Sequence, residues 1–236
     1  MIARFLVYIC AMLFLGACGG IGNRSHGQVQ TRGFSISSVA KTDIDMVSEI
    51  HLRETLDNLR LLMEKLYRRN PREWKKNGYT SIEQAVARVF DAQHRWNFTE
   101  LEGRKAADAI FLAFHEDFQG DRVQAFIVGL ATMIIASYND KLEFYIMDEL
   151  DPQKLYNSAR NVEIAAWKLS NARDGSGEPY LVSNALDADN PNLSFERTFG
   201  KIIGQQDTLA KVIADKTNRQ IKNVIQNMAT AVFLPI

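Results

Sequence analysis

The sequence predicts an all-α protein: a single helical-bundle domain of about six to eight helices behind a flexible tether. Apolar residues recur at spacings of three and four along most of the chain, as they do on the buried stripe of a helix. No segment alternates apolar and polar residues long enough to form a sheet strand. Helix-start and helix-stop signals such as Asn70-Pro71, Gly120 and Asp151-Pro152 punctuate the periodic stretches. A hydrophobic content of 46% is enough for a packed core.

The first residues read differently. Arg4 is a short basic start, Phe5 to Phe14 is an apolar run, and Gly16 and Ala17 are small, which together make a secretory signal. The run is about half of what a helix needs to cross roughly 30 Å of hydrocarbon, so it is read as a removable signal and not as a permanent span. Leu15, Gly16, Ala17 and Cys18 resemble the lipobox of bacterial lipoproteins. That resemblance implies that the Cys18 thiol carries a diacylglycerol, that residues 1–17 are cut away, and that the new amino terminus is acylated too. Two or three acyl chains anchor firmly where one does not. Cys10 leaves with the signal, so Cys18 would otherwise be a lone thiol in an oxidising compartment. Gly19, in place of the Asp that in the enteric version of the class retains proteins at the inner membrane, points to the outer membrane. Residues 18–40, rich in Gly, Ser, Gln and Asn, read as a lipidated flexible tether spanning roughly 25 Å, and residues 41–236 as the helical domain.

From Asp43 onward the helices follow in order. Leu52, Leu56, Leu59, Met63 and Leu66 share one stripe, ended by Asn70. Pro71 opens a short helix through Lys76, with Gly78 suited to cap it. Ser81 and Gln84 suggest a capping box ahead of Ile82, Ala85, Val86, Val89 and Phe90. A further helix is expected from Leu101 to Phe118, carrying Ile110, Phe111, Phe114 and Phe118. Val123 to Tyr138 is uncharged but too short to span a bilayer, and reads as a buried central helix in which Ala125 and Gly129 admit a neighbouring backbone. Asp151-Pro152 starts a helix through Leu169. Arg173 to Asn192 is loop-like, with room for a short helix near Val182 to Leu186. Phe195 to about Ala231 is helical again, and the polar run Asp215 to Gln220 fits either one long helix through solvent or two shorter ones.

Chemistry is sparse. Asp91 and His94, one helical turn apart, are followed by Glu100, Glu102, His115, Glu116 and Asp117, residue types able to bind metal or share acid and base work. The spacing fits neither established pattern. Carboxylate-bridged bundles repeat a Glu and a His three apart on two helices, and zinc proteases need a His where Gln119 stands. No metal, cofactor or catalytic residue is therefore assigned, and Asp91, His94, Glu102, His115 and Glu116 stand only as the residues to inspect. No nucleophile elbow or phosphate-cradling loop occurs either.

The basic, aromatic stretch of Arg68, Arg69, Arg72, Trp74, Lys75 and Lys76, with Trp96 and Phe98, is the candidate surface for a ligand or partner. With 28 basic and 28 acidic residues the chain has no global field, and nucleic acid is not an expected partner. The expectation is a lipid-anchored, periplasm-facing protein that binds or scaffolds another envelope component. A periplasmic enzyme or metal protein using residues 91–117, and a carrier of a small apolar ligand, are the alternatives.

Overall fold

Helix α1 (Asp43–Arg69) begins where Thr42 and Asp45 close a capping box: the Asp45 N–H donates to Thr42 Oγ1 at 3.3 Å and the Thr42 N–H to the Asp45 carboxylate at 2.7 Å. The computed structural model describes residues 41–92, 94–184, 192–222 and 232–236. The expected signal segment, Cys18 and the tether lie outside the described residues, as do residues 185–191 and 223–231. What is described is an all-α helical bundle of seven α-helices, with an isolated bridge between Arg173 and Pro179.

The apolar stripe of α1 faces the core: Leu52, Leu59, Met63 and Leu66 are buried and Leu56 packs at its edge. Asn70 ends the helix and Pro71 opens α2 (Pro71–Lys75). Ser81 caps α3 (Ile82–Phe90), its hydroxyl accepting the Gln84 N–H at 3.2 Å. The Gln84 side chain reaches back one residue further than a capping box requires and accepts the Thr80 N–H at 2.9 Å.

The expected helix from Leu101 to Phe118 is shorter and is preceded by a separate turn. Leu101 closes a 3-10 turn (Thr99–Leu101), and Glu102 and Gly103 adopt left-handed φ of 54° and 69°, so α4 runs only from Ala106 to Ala113. Beyond Ala113 the chain turns because one guanidinium collects its carbonyls. Arg122 donates to the carbonyl oxygens of Ala113, His115, Glu116 and Phe118 at 2.8 to 3.3 Å. Four acceptors met by one side chain leave no reason for those residues to stay helical.

Helix α5 (Arg122–Ser137) is the axis of the bundle, packed against α1, α2, α4 and α6. Fourteen of its residues are buried, so it is apolar all round because it is surrounded. No helix among the described residues is long and apolar enough to cross a membrane. Asp121 caps α5 by accepting the Gln124 N–H at 2.9 Å, and it also accepts the Tyr67 hydroxyl at 2.7 Å inside the core. Gly129 allows α4 to pass close: an added Cβ would stand 2.8 Å from both the Ala106 carbonyl oxygen and the Ile110 nitrogen. Thr132 then supplies the cap that Lys105 lacks, its hydroxyl accepting the Ala106 N–H at 2.7 Å.

Asp151 caps α6 (Pro152–Asn171) by accepting the Gln153 N–H. Helix α7 (Ser194–Thr217) packs along α6 and α1 and ends at Asn218, whose φ is 52°. The polar run therefore terminates the helix. Residues 182–184 are not helical, and the rest of the short helix expected near Val182 to Leu186 lies outside the described residues.

Three non-helical segments are fastened by the same device. The side-chain amides of Asn70, Gln153 and Asn161 each donate to and accept from one backbone residue, respectively Val182, Lys222 and Leu234, at 2.6 to 3.2 Å. A primary amide offers a donor and an acceptor side by side, as a neighbouring strand would, so it holds extended backbone without a sheet.

Candidate functional site

The basic corner forms where α1 turns into α2. Arg68, Arg69, Arg72, Lys75 and Lys76 are exposed, while Trp74 folds inward, half-buried against the core with the Lys75 ammonium 5.2 Å from its ring centre. Lys76 is tied down, bridging the Glu73 carboxylate at 2.8 Å and the Gly120 carbonyl at 3.0 Å. Glu73 in turn accepts the backbone N–H of Arg122 at 2.7 Å, which joins the corner to the start of α5. The corner thus presents four arginine and lysine heads, from Arg68, Arg69, Arg72 and Lys75, on a fixed base.

Trp96 and Phe98 do not extend that surface. Phe98 is 1% exposed and belongs to the core, with the His94 ring centred 4.3 Å away and tilted by 47°. Trp96 is half-buried, edge-on to Phe90 at 5.9 Å. The sequence placed both between helices, where an aromatic side chain closes the end of a core.

The acidic and histidine residues from 91 to 117 separate into two loops. Asp91 caps the end of α3 and pairs with Arg60, so it and His94 do not share a helix. Glu100 lies 3.6 Å from Arg88, and Glu102 pairs with Arg104 at 2.8 Å. His94 accepts the Trp96 N–H through Nδ1 at 2.8 Å and donates from Nε2 to the Val89 carbonyl at 2.7 Å. Both nitrogens are engaged, so this arrangement leaves the ring no lone pair for a metal. It also holds Arg95 and Trp96 at left-handed φ of 49° and 54°. In the second loop His115, Glu116 and Asp117 are exposed, and Arg122 grips the backbone of the first two. Among the described residues no group of three His, Asp, Glu or Cys side chains is arranged to hold a metal ion.

Two features carry no motif. Arg122 stands in the first turn of a helix, where a cation opposes the helix dipole, and that misplacement is the one signal in the sequence that it has another task. It also lies 4.8 Å from the Tyr180 ring. The second feature is residues 139–150, which expose Leu142, Ile146 and Met147. Leu142 edges a groove of about 670 Å³ along α1, lined also by Leu52, Arg53, Leu56, Phe90 and Trp96. Asp57 and Arg60 lie in the same groove, so its walls mix apolar and charged groups.

Compared with known proteins, the chain matches no protein-family model, no curated protein and no solved structure.

Proposed function

We propose that this chain is a lipid-anchored component of a bacterial cell envelope, held by acyl chains on Cys18, whose helical body faces the periplasm and binds or scaffolds another envelope component. The observation that carries the address is the run Leu15, Gly16, Ala17, Cys18 directly behind an export signal. Gly19 favours the outer membrane.

The basic corner is the surface best suited to the partner. Helix α1 has 27 residues, so the corner at its end stands about 40 Å from Lys41, the point at which the segment from Cys18 joins the body. A protein partner with an acidic face fits four exposed cations on a rigid base, and charge of this kind sets encounter rate and orientation. An enzymatic use of residues 91–117 has less support, because their side chains are paired one by one with arginines, locked in loop geometry or exposed. Carriage of a small apolar ligand has the groove beside α1 in its favour, although Asp57 and Arg60 would have to be accommodated.

The address is tested by Cys18→Ala, which should abolish acyl labelling and leave unprocessed or soluble protein; labelling that survives rejects it. For the partner, a photocrosslinker placed at Arg72 in intact cells should capture a reproducible adduct, which a crosslinker at the exposed Lys211 of α7 should not. Arg68→Glu together with Arg69→Glu should weaken that adduct. Capture that ignores the charge reversal would move the partner site elsewhere.

A further inference from the structure

The segment between α5 and α6 is a fixed loop with apolar side chains turned outward. Asn139 and Asp140 take left-handed φ of 57° and 58° and start the turn. The Asn139 amide donates to the Glu149 carbonyl at 2.9 Å and closes the loop on itself. Phe144 is buried against Tyr138, and its N–H donates to the Glu49 carboxylate of α1 at 3.0 Å. Asp148 pairs with Lys141 and accepts the Tyr145 N–H. Held in this way, the loop leaves Leu142 54%, Ile146 68% and Met147 88% exposed. Large apolar side chains left exposed on a tied loop mark a contact surface, since nothing in their local structure requires them there.

The position of the loop identifies the contact. Lys41, where the described body begins, pairs with Glu49 and lies 4.9 Å from the Tyr145 ring, so the segment arriving from Cys18 enters beside this loop. That segment, read as a tether of roughly 25 Å, keeps the loop within reach of the bilayer, whereas the basic corner lies a further helix length away. We infer that residues 142–147 form a membrane-seated loop: Leu142, Ile146 and Met147 enter the interfacial region of the bilayer that holds the Cys18 lipid, and so fix the body's orientation on its anchor. This inference rests on the lipoprotein reading of Cys18.

The charges around the loop decide which lipid surface it fits. Lys141 is matched by Asp148, Lys41 by Glu49, and Glu143 accepts the Tyr145 hydroxyl at 2.8 Å. Within residues 139–150 Asp140, Glu143, Asp148 and Glu149 outnumber Lys141, so no excess of cations is left to seek anionic headgroups, and insertion is driven by the apolar side chains and is not weakened by salt. A tether supplies the high local concentration of lipid at which a few apolar side chains are enough.

The test uses the full lipidated chain in phosphatidylethanolamine and phosphatidylglycerol vesicles, carrying a polarity-sensitive fluorophore on Met147→Cys or, as the control, on Arg72→Cys. Acyl labelling of Cys18 is measured on the same preparation. The probe at position 147 should shift to the blue on reconstitution and be quenched by lipids brominated near the headgroup, at high salt no less than at low, while the probe at 72 stays unquenched. Equal, weak quenching at both positions with Cys18 acylated overturns the loop and leaves the anchor standing. Quenching at 147 without acylation of Cys18 overturns the anchor and leaves the loop. A blue shift that grows with protein concentration and is indifferent to brominated lipid assigns the surface to a second copy of the chain and overturns the inference.

Discussion

Helix α5 and residues 139–150, which follow it directly, are both rich in large apolar side chains, yet the helix buries nearly all of its own and the loop holds several of its own in water. Their share of large apolar side chains does not separate them, although the loop carries five charged residues and the helix one. What separates them is what satisfies their backbone. The helix meets its own N–H and C=O groups, so its sides are free to be packed by four other helices. The loop's backbone groups are met by Glu49, Asn139 and Asp148, so only Phe144 and Leu150 turn inward and the other apolar side chains are left over. An apolar run thus contributes to stability in one place and remains available for contact in the next.

The largest effect of an added side chain is expected where α5 meets α4. A Cβ at Gly129 would strike backbone atoms of Ala106 and Ile110, which cannot swing aside as a side chain can. Replacing Gly in a helix gains about 1 kcal/mol of intrinsic preference, and the overpacking here should exceed that gain. Gly129→Leu is expected to lose about 3 kcal/mol in denaturant titration, with Gly129→Ala losing less. A midpoint unchanged in Gly129→Leu would mean that α4 and α5 do not pack closely.

Next comes the charge under the first turn of α5. Burial pushes the Asp121 carboxyl up to about 6, against the hydrogen bonds from the Gln124 N–H and the Tyr67 hydroxyl, which favour the charged form. The unfolded chain releases this proton near the ordinary aspartate value. Between the two values the folded state holds more protons, so acidification through that window stabilises it, and the contribution is lost again as pH rises through about 6. The difference in stability between the parent and Asp121→Asn, which keeps a capping oxygen, should therefore move towards the parent by up to about 3 kcal/mol between neutral pH and pH 4. A difference that stays flat across this range would show the carboxyl to be solvated.

A smaller effect is expected at Thr132. Thr132→Val keeps the volume but leaves the Ala106 N–H without its acceptor, at a cost of about 1 to 2 kcal/mol and with faster hydrogen exchange at Ala106.

These sites also mark how far the sequence could be read. The stripe from Leu52 to Leu66 and the caps at Ser81 and Asp151 are local patterns, and they appear in the fold much as expected. The opening at Gly129 was visible too, because only Gly tolerates such an approach. Arg122 gathering four carbonyls, and His94 bridging Val89 and Trp96, depend on groups brought together by turns that have no period, and the first of these shortened an expected helix. Of the candidate surface, the charged corner was legible because nothing buries it. Phe98 and Trp96 were harder to place, since an aromatic between helices carries the same letter whether it closes a core or waits for a partner. Residues 139–150 gave no sign at all: their apolar side chains follow neither period, and their role shows only through what pins the backbone.

The smallest expected change is the one that makes the comparison sharpest. If the apolar side chains of the loop serve contact and not folding, replacing them should leave stability alone. Ile146→Ser with Met147→Ser removes two large exposed side chains and no hydrogen bond that the loop depends on, so denaturant titration should agree with the parent within about 0.5 kcal/mol. Phe144→Ser is the internal contrast. It empties a buried site against Tyr138 and should lose about 3 kcal/mol or more by the cavity it leaves. A double variant as destabilised as Phe144→Ser would show that Ile146 and Met147 are held in the body after all, and the line between burial and display would then have to be drawn beyond residue 147.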